Sequence, residues 1–343
     1  MIILHTNFTT KVGAGTKAPE DIYNILKRNF DCKTIEIRMK VTENKILNNI
    51  RKIPFCIKKI YKLAAIKNDE WVVLQSNYFD YPFILPRLMR KILMKKNSIY
   101  YIHDINGLRY NDKAKLKQEI SLIDSNNYII VHNNTMKKYL IEQGINNKKI
   151  FVLECFDYLC DKITKEVNHE FDKDNVQICY AGNLLKDKSE FIYEIDNKNY
   201  TLNLFGKGIK NDINKKIHYK GVYEADKVRD YLHDDLGLIW DGHADDSYEY
   251  NNYKNYTRYN NPHKLSCYLA ADLPVIVWSK SAISDFVKKN NVGYIIDELH
   301  DIDNIDFSDY NEKKKNALII GERIRNGYYT LNVLNKILDK KGR

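Results

Sequence analysis

Short apolar runs alternate with longer amphipathic segments along the first half of the chain. The runs are rich in β-branched and aromatic residues, which favours strands, and the segments between them carry apolar residues at helical spacing. Strands that alternate with helices predict parallel pairing, with helices covering both faces of the sheet. The predicted strands are Ile2–His5, Thr34–Ile37, Trp71–Gln75, Ile99–His103, Tyr128–His132 and Ile150–Leu153. The predicted helices are Glu20–Asn29, Ile46–Ile66, Phe83–Lys95, Lys113–Ile123 and Thr135–Gln143.

The pattern lapses between Asp157 and Asp174, and a second alternating series follows. Two such series joined by one linker predict an α/β protein of two doubly wound, Rossmann-like domains that face each other across a cleft. We assign residues 1–160 to the first domain and 175–307 to the second. Residues 308–343 form C-terminal helices, for which a return to the first domain is left open. The strands of the second series are Val176–Ala181, Tyr200–Phe205, Ile217–Tyr219, Leu236–Trp240, Val275–Trp278 and Tyr294–Ile296.

Composition narrows the class of protein. The 343 residues are 44% hydrophobic and 29% charged, which is typical of a soluble globular chain with two domains. Its six cysteines show neither a C-x-x-C pair nor zinc-ligand spacing, so we expect reduced thiols. The apolar start Met1–His5 is too short for a signal peptide, and no run reaches the length of a membrane-spanning helix. We therefore expect a cytoplasmic protein.

The net charge of +10 is concentrated in the first half of the chain. Between Lys45 and Lys96, 12 lysines and arginines stand against three acids. One interpretation is that these amphipathic basic helices lie on an anionic membrane, at the inner face of the plasma membrane, where a lipid-linked acceptor is found. The other is that they are ordinary core-facing helices with a solvated basic rim. Nucleic acid is not expected as a partner because no recognised binding motif accompanies the charge.

The stretch Gly237–Gly242 and the segment Tyr259–Ser266 carry the chemistry of the second half. The first is an apolar run that ends in Trp-Asp-Gly, which indicates a buried strand that stops at a turn. The second places Pro262 at a helix start, with Lys264 and Ser266 close behind it. A helix start offers free N–H groups to phosphate, and a lysine there is disfavoured by the helix dipole unless an anion binds. The pattern predicts a nucleotide-diphosphate site at the edge of a parallel sheet.

Each candidate residue of this site has a plain structural alternative. Lys264 either neutralises a diphosphate or is a solvated surface lysine, and Ser266 either donates to the same phosphate or merely occupies the first turn. Gly182 admits a ligand close to the backbone and Asn183 offers hydrogen bonds, unless the pair simply forms a tight turn. Phe205 either stacks on a base or belongs to the core. Asp241 either holds ribose hydroxyls or caps its turn.

A glycine-containing segment, Lys11–Lys17, follows the first strand. Its Gly13 and Gly15 lack the third glycine of a dinucleotide fingerprint and the spacing of a P-loop. The segment fits a flexible loop that closes over donor phosphates or an acceptor, or else a plain strand–helix turn. His103 and Asp104 stand at the end of another predicted strand and would point into the cleft.

Several motifs in order resemble the bacterial β-1,6-galactofuranosyltransferases of surface-polysaccharide synthesis, and more distantly the glucosyltransferases that extend glycans on serine-rich-repeat adhesins. They are Tyr180–Leu184, Phe205-Gly206, Gly237–Gly242, Asn260–Lys264 and Leu273–Ile283, with Ser98–Asp104 in the first domain. The resemblance covers nearly the whole chain and implies the GT-B architecture. It implies a nucleotide site that includes the Gly182-Asn183 loop, His263 and Lys264.

The resemblance further implies an inverting glycosyltransferase that uses a UDP-sugar, foremost UDP-galactofuranose, and a surface glycan acceptor. Inversion is a single displacement that needs one general base, here Asp104 or His103 with Asp104 preferred, unless one of them only caps the following turn. The alternatives are a UDP-glucose enzyme that acts on protein-linked GlcNAc and a non-catalytic nucleotide-sugar- or glycan-binding subunit. A homo-oligomer is left open.

An acidic cluster near the Trp-Asp-Gly motif is a candidate metal site, because sugar transferases with a D-x-D motif bind a metal through such acids. Those enzymes have a different fold. Lys264 and a helix start supply positive charge here, so we expect no cofactor and no required metal. We expect residues 245–259, rich in Tyr and Asn, to form a mobile loop over the cleft. The cluster consists of Asp241, Asp245, Asp246 and Glu249.

Overall fold

The computed structural model describes residues 1–8, 14–39, 45–75, 85–161, 171–196, 199–209, 214–244 and 251–341. The chain divides into two compact units. The first comprises Met1–Lys11, Pro19–Leu153 and Thr330–Arg343, and the second comprises Val12–Ala18 and Glu154–Tyr329. Among the described residues, no helix combines the length and the apolar character needed to cross a bilayer.

The first unit contains a six-stranded parallel sheet in the order β2-β1-β3-β4-β5-β6. Strand β2 lies on one side of β1, and β3 to β6 lie on the other side. The topological switch is therefore between β1 and β3. Buried apolar side chains of the central strands and of the covering helices form one core. The strands are β1 (Ile2–Phe8), β2 (Lys33–Met39), β3 (Trp71–Gln75), β4 (Asn97–Tyr101), β5 (Tyr128–Val131) and β6 (Ile150–Val152).

The second unit contains another six-stranded parallel sheet, in the order β12-β11-β10-β7-β8-β9. Strands β7 to β9 proceed to one side and β10 to β12 to the other, so the switch lies between β7 and β10. This sheet has its own core. The strands are β7 (Val176–Asn183), β8 (Tyr200–Lys207), β9 (Ile217–Gly221), β10 (Leu236–Ile239), β11 (Val275–Trp278) and β12 (Gly293–Ile296).

Helices connect the strands. Within the first unit the last helix contacts the sheet and its neighbours: the Tyr101 hydroxyl lies 3.4 Å from Thr330 Oγ1, and Lys340 Nζ lies 5.1 Å from the centre of the Phe151 ring. The helices are α1 (Ala14–Asn29), α2 (Lys45–Ala64), α3 (Leu85–Leu93), α4 (Asn106–Arg109), α5 (Lys113–Asp124), α6 (Asn134–Glu142), α7 (Asn252–Thr257), α8 (His263–Ala270), α9 (Ser284–Asn290), α10 (Tyr310–Arg325) and α11 (Tyr328–Lys341).

The predicted fold class is confirmed, since both alternating series form parallel sheets with the predicted strands. Two local predictions need correction. Residues 252–257 form helix α7, where a loop was expected, because the Asn251 side chain accepts from the N–H groups of Tyr253 and Lys254 and caps a helix start. Residues 14–17 belong to helix α1 and not to the expected flexible loop.

Candidate functional site

The switch point of the second unit brings together residues from two neighbouring strands and one helix. Strand β7 ends at Gly182 and Asn183, and Asp241 is the second residue after β10. Helix α8, which connects β10 to β11, begins at His263 and carries Lys264 in its first turn. The carboxyl edge of an open parallel sheet at its switch point is the usual place for a ligand in this class of fold.

Lys264 and Asp241 form the central ion pair of this edge. Lys264 Nζ donates to Asp241 Oδ1 over 2.7 Å, and each side chain is 11% exposed. The same ammonium lies 4.7 Å from the centre of the Tyr180 ring, a cation–π contact. Lys264 is therefore a largely buried, oriented lysine and not a solvated surface one.

A second lysine, Lys188, approaches the other oxygen of the same carboxylate. Its Nζ lies 3.9 Å from Asp241 Oδ2 and 5.6 Å from the centre of the Tyr253 ring. Two ammonium groups thus share one carboxylate, which leaves this small cluster with a surplus of positive charge. Lys188 is not among the residues predicted from the sequence, although its place in the turn after β7 is a usable signal.

Tyr180 and Ser189 connect Asp241 to the end of β7 through hydrogen bonds. The Tyr180 hydroxyl lies 2.8 Å from Ser189 Oγ and 3.4 Å from Asp241 Oδ1, and Ser189 Oγ donates to the Asn183 carbonyl over 2.6 Å. Burial, reinforced by the charge of Asp241, raises the pKa of Tyr180 far above its ordinary value, so its hydroxyl keeps its proton. The chain of hydrogen bonds ties the end of β7 to the carboxylate.

The glycines at this edge allow close packing. Gly206, after β8's Phe205, has φ of +149°, and a Cβ there would lie 1.8 Å from the Gly182 carbonyl oxygen. A Cβ on Gly182 would lie 2.9 Å from Lys264 Cε. Only glycine at position 206 permits the backbone approach, and glycine at position 182 leaves room for the lysine.

Asn183 and Phe205 both have structural roles in this state. Asn183 is exposed, and its side-chain oxygen accepts from the Leu185 N–H over 3.0 Å, which closes a turn. Phe205 is buried at the end of β8, with its ring 6.1 Å from that of Tyr223. Tyr223 in turn stacks on Tyr231 at 3.9 Å between ring centres.

The start of α8 has an inward-facing side formed by His263 and Ser266. The His263 ring lies 5.4 Å from that of Tyr158 and 6.0 Å from that of Phe156, and its Nε2 has no hydrogen-bond partner among the described residues. Burial, with a further contribution from Lys17, lowers the pKa of His263 to about 3. Ser266 is buried and donates to the Phe156 carbonyl over 2.7 Å, so its hydroxyl holds the helix start to the preceding chain.

In the first unit, the candidate bases lie beyond the end of β4. Asp104 is partly buried and accepts from Arg109 Nη2 over 2.6 Å. His103 is buried, donates from Nε2 to Gln75 Oε1 over 2.7 Å, and stacks on Tyr101. Gln75 is the last residue of β3, so its hydrogen bond with His103 links the carboxyl ends of the neighbouring strands β3 and β4.

Only part of the glycine-containing segment Lys11–Lys17 is among the residues that the structure describes. Gly13 lies outside the described residues, and Gly15 lies in the first turn of α1. The acidic residues Asp245, Asp246 and Glu249 also lie outside the described part of the chain.

Glu190, Glu194 and His243 form a group whose ligand atoms lie within 4.8 Å of one another. The imidazole contacts a different carboxylate through each nitrogen: Nδ1 lies 2.6 Å from Glu194 Oε1 and Nε2 lies 3.3 Å from Glu190 Oε2. The ring therefore bridges the two acids, and the trio holds the turn after β10 in place. That no metal is required stays a prediction.

Comparisons with known proteins place the chain in a family. A family model for the N-terminal domain of glucosyltransferase 3-like proteins matches residues 1–155, and the model for their C-terminal domain matches residues 178–337. A β-1,6-galactofuranosyltransferase, WbbI from Escherichia coli (strain K12), is 32% identical over 257 residues, which cover 72% of this chain and 73% of that protein. Glucosyltransferase 3 from Streptococcus gordonii is 25% identical, over 79% of this chain and 80% of that protein.

Among solved structures, Anabaena HepE in complex with UDP superimposes with a TM-score of 0.63 at 13% identity, over 100% of both chains. The two parallel Rossmann-like sheets have the GT-B architecture, and the relatives identify the chain as a glycosyltransferase. The chain belongs to the glucosyltransferase 3-like family, and it is also a relative of the β-1,6-galactofuranosyltransferase WbbI.

Proposed function

We propose that this glycosyltransferase moves a hexose from a UDP-sugar, with inversion, to a surface-polysaccharide or glycan acceptor, and that the hexose is galactofuranose. The observation that carries the proposal is the buried ammonium of Lys264, held at the start of α8 beside Gly182. The E. coli relative at 32% identity is named a β-1,6-galactofuranosyltransferase, and HepE binds UDP. The UDP bound by HepE favours a uridine-diphosphate donor for this chain, and the name of the E. coli relative favours galactofuranose as the sugar.

The donor half of the mechanism is the stabilisation of a departing diphosphate. Lys264 and Lys188 already lie on either side of Asp241, and the N–H groups at the start of α8 add positive potential. When the sugar leaves, negative charge develops on the diphosphate. Two ammonium groups fixed in advance lower the energy of that charge without having to reorganise.

The acceptor half is removal of a proton from the attacking hydroxyl. We propose Asp104 as the general base, with the Arg109 guanidinium orienting the carboxylate through its 2.6 Å contact. His103 is the second candidate, but its Nε2 donates to Gln75, so only the other ring nitrogen is left as an acceptor in the neutral ring. No metal or other cofactor enters the proposal.

A UDP-glucose transferase that acts on protein-linked GlcNAc is the second candidate. It is favoured by the description of the matching family and by the Streptococcus gordonii relative at 25% identity. The two candidates differ in the sugar and the acceptor and share the same donor chemistry.

The test is thermal melting with UDP, UDP-galactofuranose and UDP-glucose, followed by measurement of UDP release. A donor at about a hundredfold its dissociation constant stabilises the fold by roughly 2.7 kcal/mol. We expect UDP-galactofuranose to stabilise most and to be slowly hydrolysed. A larger response to UDP-glucose would select the second candidate. Binding without UDP release, even with glycan acceptors present, would indicate a non-catalytic binding subunit, and no response to any uridine nucleotide would refute the proposed donor.

A further inference from the structure

Helices α2 and α3 of the first unit are cationic without any acidic residue. The twenty residues of α2 include six lysines and arginines, the nine of α3 include three, and neither contains aspartate or glutamate. A typical solvated helix mixes both signs of charge, which gives favourable pairs four residues apart. Charge of one sign on neighbouring helices indicates a surface suited to an anionic partner.

Helix α2 also has two apolar faces where a surface helix needs only one. Cys56, Ile60 and Leu63 are buried and pack in the core of the first unit. On the outer side, Ile57 is 53% exposed and Tyr61 is 75% exposed, and Ile53, one turn earlier, is also exposed. Residues four apart lie on one side of a helix, so these three form a stripe that faces solvent.

Helix α3 and the turn after it also have both buried and exposed apolar residues. Met89 and Leu93 are buried in the same core as α2, while Leu88 and Met94 are exposed, Met94 by 64%. The connections β2–α2–β3 and β3–α3–β4 cross the sheet in the same direction. Because such crossovers are right-handed, both helices cover the same face of the sheet.

We propose that this surface docks on an anionic lipid bilayer. The α2–α3 face is defined by the exposed apolar residues Ile53, Ile57, Tyr61, Leu88 and Met94. Exposed cations lie among them, namely Lys58, Arg87, Arg90, Lys91 and Lys95. Aliphatic side chains that enter the headgroup–acyl boundary, ringed by lysine and arginine that pair with lipid phosphates, are the features of an interfacial helix.

Lipid fits this face better than other anionic partners. Nucleic acid is contacted mainly through phosphates, which would leave the exposed isoleucine, leucine and methionine side chains without a role. An acidic protein would favour a defined pocket for an anchor residue, whereas these apolar side chains are spread along two helices. A planar bilayer engages both features at once. The proposal is independent of the donor and would hold for either sugar.

The experiment is co-sedimentation of the full chain with vesicles of phosphatidylcholine alone and of phosphatidylcholine with phosphatidylglycerol. We expect binding to the anionic vesicles only, weakened by added salt. Each basic residue near such a surface contributes roughly fivefold to partitioning, so Arg87→Glu with Lys91→Glu should weaken it by about tenfold or more. Ile57→Ser with Tyr61→Ser should also weaken it, because the apolar insertion is lost.

Matched variants in the second unit serve as controls. Lys215→Glu with Lys216→Glu changes the net charge equally, and Leu318→Ser with Ile319→Ser removes exposed apolar side chains from α10. Thermal melting and UDP binding of each variant report on folding and on the donor site separately. Absence of binding to anionic vesicles at low salt would overturn the proposal. So would control variants that weaken binding as much as the test variants, or capture by DNA or polyglutamate without any capture by vesicles.

Discussion

Both units contain an open six-stranded parallel sheet, with different strand orders, but they present opposite chemistry at their carboxyl edges. In the second unit the edge is cationic, with Lys264 and Lys188 around Asp241. In the first unit the edge carries a carboxylate, Asp104, and an imidazole, His103, each held by a neighbouring side chain. Fixed positive charge suits an anionic leaving group, and an oriented carboxylate suits proton removal. The fold thus provides a carboxyl edge suited to a ligand in each unit, and under our proposal the second edge holds the donor and the first removes the proton.

The largest expected effect comes from removing the proposed general base of the first unit, Asp104. Asp104→Asn keeps the shape and an acceptor for Arg109 but cannot take a proton at neutral pH. We expect transfer to fall roughly 10²- to 10⁴-fold with UDP affinity unchanged, measured by product formation and by calorimetry. As a control, Asp124→Asn removes another partly exposed carboxylate of the same unit. Substantial turnover by Asp104→Asn, with loss in His103→Asn, would transfer the role to the histidine.

The next largest effect is on the stability of the second unit, and it tests the close packing of the backbone at its carboxyl edge. Gly206→Ala places a Cβ against the Gly182 carbonyl in a left-handed region, so we expect a loss of about 3 kcal/mol in unfolding free energy. Gly221→Ala is the control, because its φ is +105° but its nearest neighbour, Tyr223 Cε2, is 3.9 Å from the added Cβ. Urea denaturation measures both. Equal losses would show that backbone strain alone matters and that the close approach does not.

Lys264→Ala tests the cationic side of the comparison. Removal of one charge-assisted bond to a diphosphate costs about 1.5 to 3 kcal/mol, so we expect UDP to bind roughly 10- to 100-fold more weakly. Lys280→Ala, an exposed lysine of the same unit beside Trp278, is the control. Isothermal calorimetry at two salt concentrations gives both affinities. If Lys264→Ala binds UDP as tightly as the parent, the diphosphate does not sit at α8.

The strands could be predicted from the sequence because they follow from local apolar patterns, whereas the switch points depend on how distant strands pair. Val275–Trp278 was predicted with the bounds that β11 has. The pair Lys264–Asp241 could not be predicted, since it depends on how β10 and α8 pack across 23 residues of sequence. The partner of the Ser266 hydroxyl could not be predicted for the same reason, because its acceptor is a backbone carbonyl 110 residues away in the sequence.

A third carboxylate, Asp234, gives the smallest expected effect. It tests whether the chemistry lies at the carboxyl edges of the two sheets. Asp234 is buried at the opposite, amino end of β10, where its Oδ1 accepts from Asn203 Nδ2 over 2.6 Å. Burial is the main reason that the pKa of Asp234 rises from 3.8 to about 6. A shifted pKa often marks a functional site, but this residue lies away from the edge where ligands bind.

The sign of its effect on stability follows from proton binding. Between pH 4 and pH 6 the folded chain holds a proton on Asp234 that the unfolded chain has lost, so stability falls as pH rises through this range and is constant above it. Asp234→Asn removes the buried charge, and we expect it to raise the unfolding free energy by about 1 to 2 kcal/mol at pH 7 and to change it little at pH 4. Urea denaturation at both pH values measures the difference, and transfer activity should stay at the parent level. If Asp234→Asn instead lost activity while Asp104→Asn kept it, the chemistry would lie at the amino end of the second sheet, and the division of work between the two carboxyl edges would be wrong.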